Sequence, residues 1–176
     1  VVNFSGSGTF IDTPGIPDIS NNTQALFVNC TGIPNSTANA GYSMQSNATA
    51  TAVLGGAYTK VLGTTTASAL NQQFETTGNN RLTYKGAIQS NFMVSVVCSI
   101  TGGNNKDISM VLFKNGSVDS TSAVSITTSG TGDFLNIKIQ NLLNFTTDDY
   151  VEVFLANATD NTSITVTELN VVVFNI

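Results

Sequence analysis

Phe92-Met93-Val94-Ser95-Val96-Val97-Cys98-Ser99-Ile100 decides how this chain is read. Phe92, Val94, Val96, Cys98 and Ile100 alternate with Met93, Ser95, Val97 and Ser99. Successive side chains of a β-strand point to opposite faces, so this spacing builds one apolar face and one mixed face. Outward from it, Leu135, Ile137 and Ile139 alternate with Phe134, Asn136, Lys138 and Gln140, and Val151, Val153 and Leu155 alternate with Tyr150, Glu152 and Phe154. Runs 41–53, 57–63, 80–88 and 163–175 fit strands as well. The last ends Val171-Val172-Val173-Phe174, apolar on both faces, which predicts a central strand or an interface.

Turn chemistry separates these runs. Asn115-Gly116 sits between Ile108–Phe113 and Val118–Thr127, where a type I′ hairpin turn needs positive φ at both central positions. Gly102-Gly103-Asn104-Asn105, Ser129-Gly130-Thr131-Gly132 and Thr146-Thr147-Asp148-Asp149 are further breaks. About eight to ten short strands with Gly and Asn turns predict an all-β, antiparallel jelly-roll sandwich. At most one helical turn, near Ala69–Phe74, interrupts them. Residues 1–40 differ: Pro14, Pro17 and Pro34 all lie there. The expected organisation is an extended N-terminal arm or connector over 1–40 and a jelly-roll domain over 41–176.

Composition removes several functions. Histidine is absent, which takes away the commonest general base, the usual triads and most zinc sites. The six basic residues are scattered through a chain of net charge −5, so no basic patch addresses phosphates and no nucleic-acid partner is expected. No apolar run approaches the roughly 20 residues of a membrane-spanning helix. Charged residues make up 10% of the chain, and a surface kept soluble by Asn, Ser and Thr suits packing against further copies, because few charges must be desolvated. No cofactor is expected.

Three features have both a structural and a functional reading. Asp148 and Asp149, with Glu152 nearby, read as an Asx turn entering a strand; a calcium site at Asp148 and Asp149, or a carboxylate pair for sugar hydrolysis, is the alternative. Cys30 and Cys98 are either a disulfide or two thiols, and Cys98 falls on the apolar face of its strand. Asn-x-Ser/Thr triplets occur at Asn3, Asn21, Asn29, Asn35, Asn47, Asn115, Asn144, Asn157 and Asn161. They fit a glycosylated secreted protein, but so rich an Asn, Ser and Thr content generates many by composition alone. With no Trp and four Tyr, the aromatic platform of an ordinary sugar-binding module is missing.

Arg81-Leu82-Thr83-Tyr84-Lys85-Gly86-Ala87 leading into Phe92–Ile100, then Leu112–Ser117, Leu135–Leu143, Asp149-Tyr150-Val151-Glu152-Val153 and a closing apolar strand resemble the jelly roll of the tumour necrosis factor and complement globular-head superfamily. Met44–Thr49 with Thr59–Thr65 resembles head-fibre, decoration and attachment proteins of bacteriophages and large DNA viruses. The resemblance covers about residues 41–176. It implies a compact homotrimer with the last strands near a threefold axis. Asp149-Tyr150-Val151 matches the family's Asp-x-Val, so Tyr150 and, by period two, Phe154 are the implied axis-facing residues. The chain departs from cell-surface members in having no Trp or His. The function implied is that of a non-enzymatic virion-surface protein: a capsid decoration, fibre head or spike. Its partners would be other capsid proteins and a host receptor or glycan. The alternative is an extracellular adhesin or ligand-type domain of cellular origin.

Overall fold

The computed structural model describes residues 38–176 apart from 54, 70, 79, 87, 88 and 131. Most of the expected arm, Cys30 and the triplets at Asn3, Asn21, Asn29 and Asn35 lie outside the described residues. The twelve strands are β1 (Asn39–Met44), β2 (Ala50–Thr51), β3 (Thr59–Lys60), β4 (Thr66–Ala67), β5 (Phe74–Thr76), β6 (Arg81–Tyr84), β7 (Ser90–Thr101), β8 (Asp107–Lys114), β9 (Ser117–Thr127), β10 (Leu135–Phe145), β11 (Tyr150–Asn157) and β12 (Ile164–Asn175). They form two antiparallel six-stranded sheets. The first runs β10-β7-β12-β1-β4 with β2 also on β12; the second runs β5-β6-β11-β8-β9 with β3 also on β11. From β7 to β12 the chain changes sheet at every step except the β8–β9 hairpin, the jelly-roll way of closing a core between two sheets. Asn115 and Gly116 close that hairpin with φ of 51° and 76°, as their sequence predicts.

The alternation read in the sequence is the alternation of burial. Phe92, Val94, Val96, Cys98 and Ile100 of β7 are at most 1% exposed, as are Val153 and Leu155 of β11. Ile137 and Ile139 of β10 join them. One end of the core is an aromatic plug in which the rings of Phe74, Tyr84, Phe92 and Phe145 meet at centroid distances of 5.1–6.3 Å, mostly edge to face. Cys98 is a free thiol between the sheets, 3.7 Å from Met110 Sδ, and burial pushes its pKa up to about 12, so it behaves as a small apolar side chain.

Between β4 and β5 the chain makes a single turn, the Asn71 N–H donating to Ser68 O at 3.4 Å, within the at most one turn expected near Ala69–Phe74. Asn71 Oδ1 accepts the Gly41 N–H at 2.8 Å, Gln72 bridges to Asn39 and Phe74 opens β5, so beyond the turn the edge of β1 recruits the segment as extended chain. β4 and β5 have no counterpart in the sequence pattern, because two or three residues at a sheet edge carry no readable period.

The central strand of the first sheet, β12, carries a bulge. Its pairing with β7 is interrupted between Val166 and Glu168, so that Val166 faces the core and Leu169, Val171 and Val173 do so after the shift. Asn47 holds the bulge: its Nδ2 donates to Val166 O at 2.8 Å and Leu62 O at 3.0 Å, and its backbone N–H donates to Thr167 O at 3.0 Å. Asn115, Asn144 and Asn157 likewise commit Nδ2 to hydrogen bonds inside the chain, to Asp149, Asn91 and Asp160 among others. In these four triplets the amide has a structural use.

Phe92→Ala is expected to cost about 3–5 kcal/mol by urea unfolding, since it empties the aromatic plug. Asn47→Ala is expected to cost about 1–3 kcal/mol, because Val166 O at the bulge and Leu62 O lose their side-chain donor.

Candidate functional site

The outward faces of the two sheets differ in kind. The second sheet presents Tyr150, Glu152 and Phe154 of β11, the alternates of the buried Val151, Val153 and Leu155. Phe154 stacks on Phe113 of β8 at 3.8 Å and 17°, and Tyr58 packs edge-on to Phe113 at 6.0 Å. The Arg81 guanidinium lies over the Tyr150 ring, 4.0 Å from its centroid. Glu152 is 4% exposed, and its Oε1 accepts from Lys60 Nζ at 2.6 Å and Arg81 Nε at 2.8 Å. This face therefore answers its own rings and charges from within the chain. Tyr150 and Phe154 stand on it half-buried.

The first sheet differs. Val97 of β7, Leu142 of β10, Val172 and Phe174 of β12 and the following Ile176 are 43–61% exposed. Register lines them up: Leu142, Met93 and Phe174 form one row straight across β10-β7-β12, and Gln140, Ser95 and Val172 the next. Then come Lys138, Val97 and Asn170, and finally Asn136, Ser99 and Glu168. The face is thus apolar at one end and polar at the other. Beside it β1 comes close to β12 at Gly41, where a Cβ would lie 2.8 Å from Val171 O, so a larger residue would push the strands apart. The signal for this face lay in the sequence: β12 reads apolar on both faces, and Val97 and Leu142 break the polar side of their strands. Which of these residues meet across strands was not readable.

Asp148 and Asp149 do not converge. Asp148 Oδ1 accepts from Lys85 Nζ at 2.8 Å, while Asp149 Oδ2 accepts from Lys114 Nζ at 2.8 Å and the Thr146 N–H at 2.9 Å. Asn115 bridges the β8–β9 turn to this one, donating to Asp149 Oδ1 at 2.6 Å and accepting the Tyr150 N–H at 2.8 Å. Glu152 sits apart with Lys60 and Arg81. Among the described residues no group of three or more His, Cys, Asp or Glu side chains is placed to share a cation.

No protein-family model matches the chain, and no curated sequence is similar to it. Solved structures are similar in fold. An Eiger TNF from S. frugiperda matches with a TM-score of 0.56 at 9% identity, over 81% of this chain and 94% of that one. The PRD1 vertex protein P5 matches at 0.52 and 13% identity, over 80% and 98%. Murine APRIL matches at 0.51 and 11% identity, over 76% and 98%. At such identities the likeness is one of fold: the chain has the jelly roll of the tumour necrosis factor type, shared with a vertex protein, as its motifs suggested.

Burial alone would push the Asp149 carboxyl up, but the hydrogen bonds from Lys114, the Thr146 N–H and Asn115 outweigh it and hold it down at about 2, against an ordinary 3.8. A lowered folded-state value means stability that is present above pH 4 and lost as pH falls towards 2. The urea midpoint of Asp149→Asn is expected to lie below wild type at pH 6, with the gap closing between pH 4 and pH 2. A gap that stays constant over that range would show that the carboxylate charge contributes nothing.

Proposed function

We propose that this chain is a non-enzymatic structural protein of a virus particle, a capsid decoration, fibre head or spike, that works as a homotrimer on the virion surface. The observation that carries the reading is the outward face of the first sheet, where exposed Leu142 and Phe174 flank half-buried Met93 in one row and exposed Val97 and Val172 lie in the next rows, whereas on the other face Val118 is the exposed large apolar side chain beside the paired rings and charges. Contiguous exposed apolar surface on one face marks an interaction site. The low charge content, 10%, limits the desolvation that close packing of copies would incur. The fold likeness to a vertex protein supports placing the assembly on a particle, with other capsid proteins as neighbours. The loops at the sandwich ends would then contact capsid or a host receptor or glycan. Residues 1–40 would serve as an arm or connector. The likeness to Eiger TNF and APRIL favours a second reading, an extracellular ligand-type or adhesion domain using the same trimer.

Two faces compete for the threefold axis. The exposed apolar row favours the first sheet; the family's Asp-x-Val favours Tyr150 and Phe154 on β11. Light scattering is expected to give three times 18.4 kDa for wild type. Leu142→Asp is expected to reduce that to a monomer that keeps its β-sheet circular dichroism, with Tyr150→Asp remaining trimeric. The reverse pattern would put the axis on β11. A monomeric wild type at tens of micromolar would overturn the trimer.

A further inference from the structure

We infer that Lys138 and Glu168 are the two halves of an intersubunit ion pair, Lys138 of one copy facing Glu168 of the next around the threefold. The inference rests on the trimer proposed above and on the outward face of the first sheet being its interface.

The charges of this chain divide by whether they find a partner within it. Lys60, Arg81, Lys85, Lys106 and Lys114 each form an ion pair within the chain, with Glu152, Glu152, Asp148 and Glu75, Asp160 and Asp149 respectively. Lys138 is the sixth cation, and among the described residues it has neither an ion pair nor a side-chain hydrogen bond. The carboxylates show the same pattern. Asp107, Asp119 and Asp133 accept hydrogen bonds from Thr127, Thr121 with Asn141, and Ser129. Glu168 alone among the described side-chain carboxylates has neither a hydrogen bond nor an ion pair.

These two left-over charges are opposite in sign and lie on the same face. Lys138 is on the edge strand β10, in the row with Val97 and Asn170; Glu168 is on β12, in the adjoining row with Ser99. Both are exposed. Two strand spacings and one step of two residues put their Cα atoms about 12 Å apart, with β7 between them, so within one chain they do not meet. They flank the polar end of the apolar face, where an interface keeps its rim of charges. A ring of identical copies uses heterologous contacts, in which one patch meets a different patch of the next copy. An edge strand carrying the cation and an inner strand carrying the acid supply two such patches. Charge complementarity of this kind fixes register and orientation more than it adds affinity. The occupant that this face fits is thus a second copy of this chain.

The test is a charge swap read by sedimentation equilibrium of the full chain, with circular dichroism to establish folding; both sites are solvent-exposed, so the fold should tolerate the changes. Lys138→Glu and Glu168→Lys each replace attraction by repulsion at every contact. At roughly fivefold per contact, three contacts compound to about a hundredfold weaker trimer at low salt, and the loss shrinks in about 1 M salt. The double variant Lys138→Glu/Glu168→Lys restores the pair with reversed polarity and is expected to return to within about threefold of wild type. A trimeric wild type whose single variants are unchanged, or whose double variant is as weak as the two losses combined, overturns the ion pair and leaves the trimer standing. A monomeric wild type overturns both.

Discussion

The bulge in β12 is the constraint on which the arrangement of this molecule depends. Strand alternation is strict, and a strand with Val166 inward would put Glu168 inward two residues later. Burying an unpaired carboxylate is far costlier than breaking one ladder pair. The extra residue, Thr167, resets the phase, so that Leu169, Val171 and Val173 enter the core and Glu168, Asn170, Val172 and Phe174 turn outward. Asn47 makes the irregularity tolerable by occupying carbonyls near the bulge, and Thr167 Oγ1 donates to Ser99 O across it at 3.2 Å. Without that reset neither the core nor the outer face of the first sheet would have its present composition.

The reset leaves a molecule with two unlike outer faces. The rings and charges on the face of the second sheet are paired inside one chain: Phe154 on Phe113, Arg81 over Tyr150, and Lys60 and Arg81 on Glu152, with Val118 exposed beside them. Each of these paired groups would have to give up a partner before meeting another molecule, which raises the cost of docking. The face of the first sheet has apolar side chains in water and charges without partners, so a second surface gains contacts there without displacing any. That asymmetry is the physical ground for proposing association through the first sheet, and it comes from side-chain pairing rather than from hydrophobicity alone.

Much of the fold was legible because burial follows period two. Phe92–Ile100 and Val151–Leu155 reported their own core faces, and Asn115-Gly116 reported its turn through the positive φ that few residues tolerate. The short strands β4 and β5 were not legible, because their existence depends on the edges of β1 and β6 offering free backbone groups. Tyr150 and Phe154 were found as a second apolar surface on β11, but their neighbours come from β3, β6 and β8, which lie far off in sequence. Asp148 and Asp149 looked like a carboxylate pair because they are adjacent. In three dimensions Lys85 and Lys114 draw them apart.

The sequence by itself determined the class of structure: all-β, antiparallel, with a sandwich core and no histidine. These are local properties, set by side-chain direction along a strand and by which residue types are present. Only the tertiary structure decided which outward residues stand side by side, which charges are already paired, and where the phase of β12 is reset. Those depend on strand order and register, which bring residues such as Leu142, Met93 and Phe174 into one row although the chain between them visits both sheets.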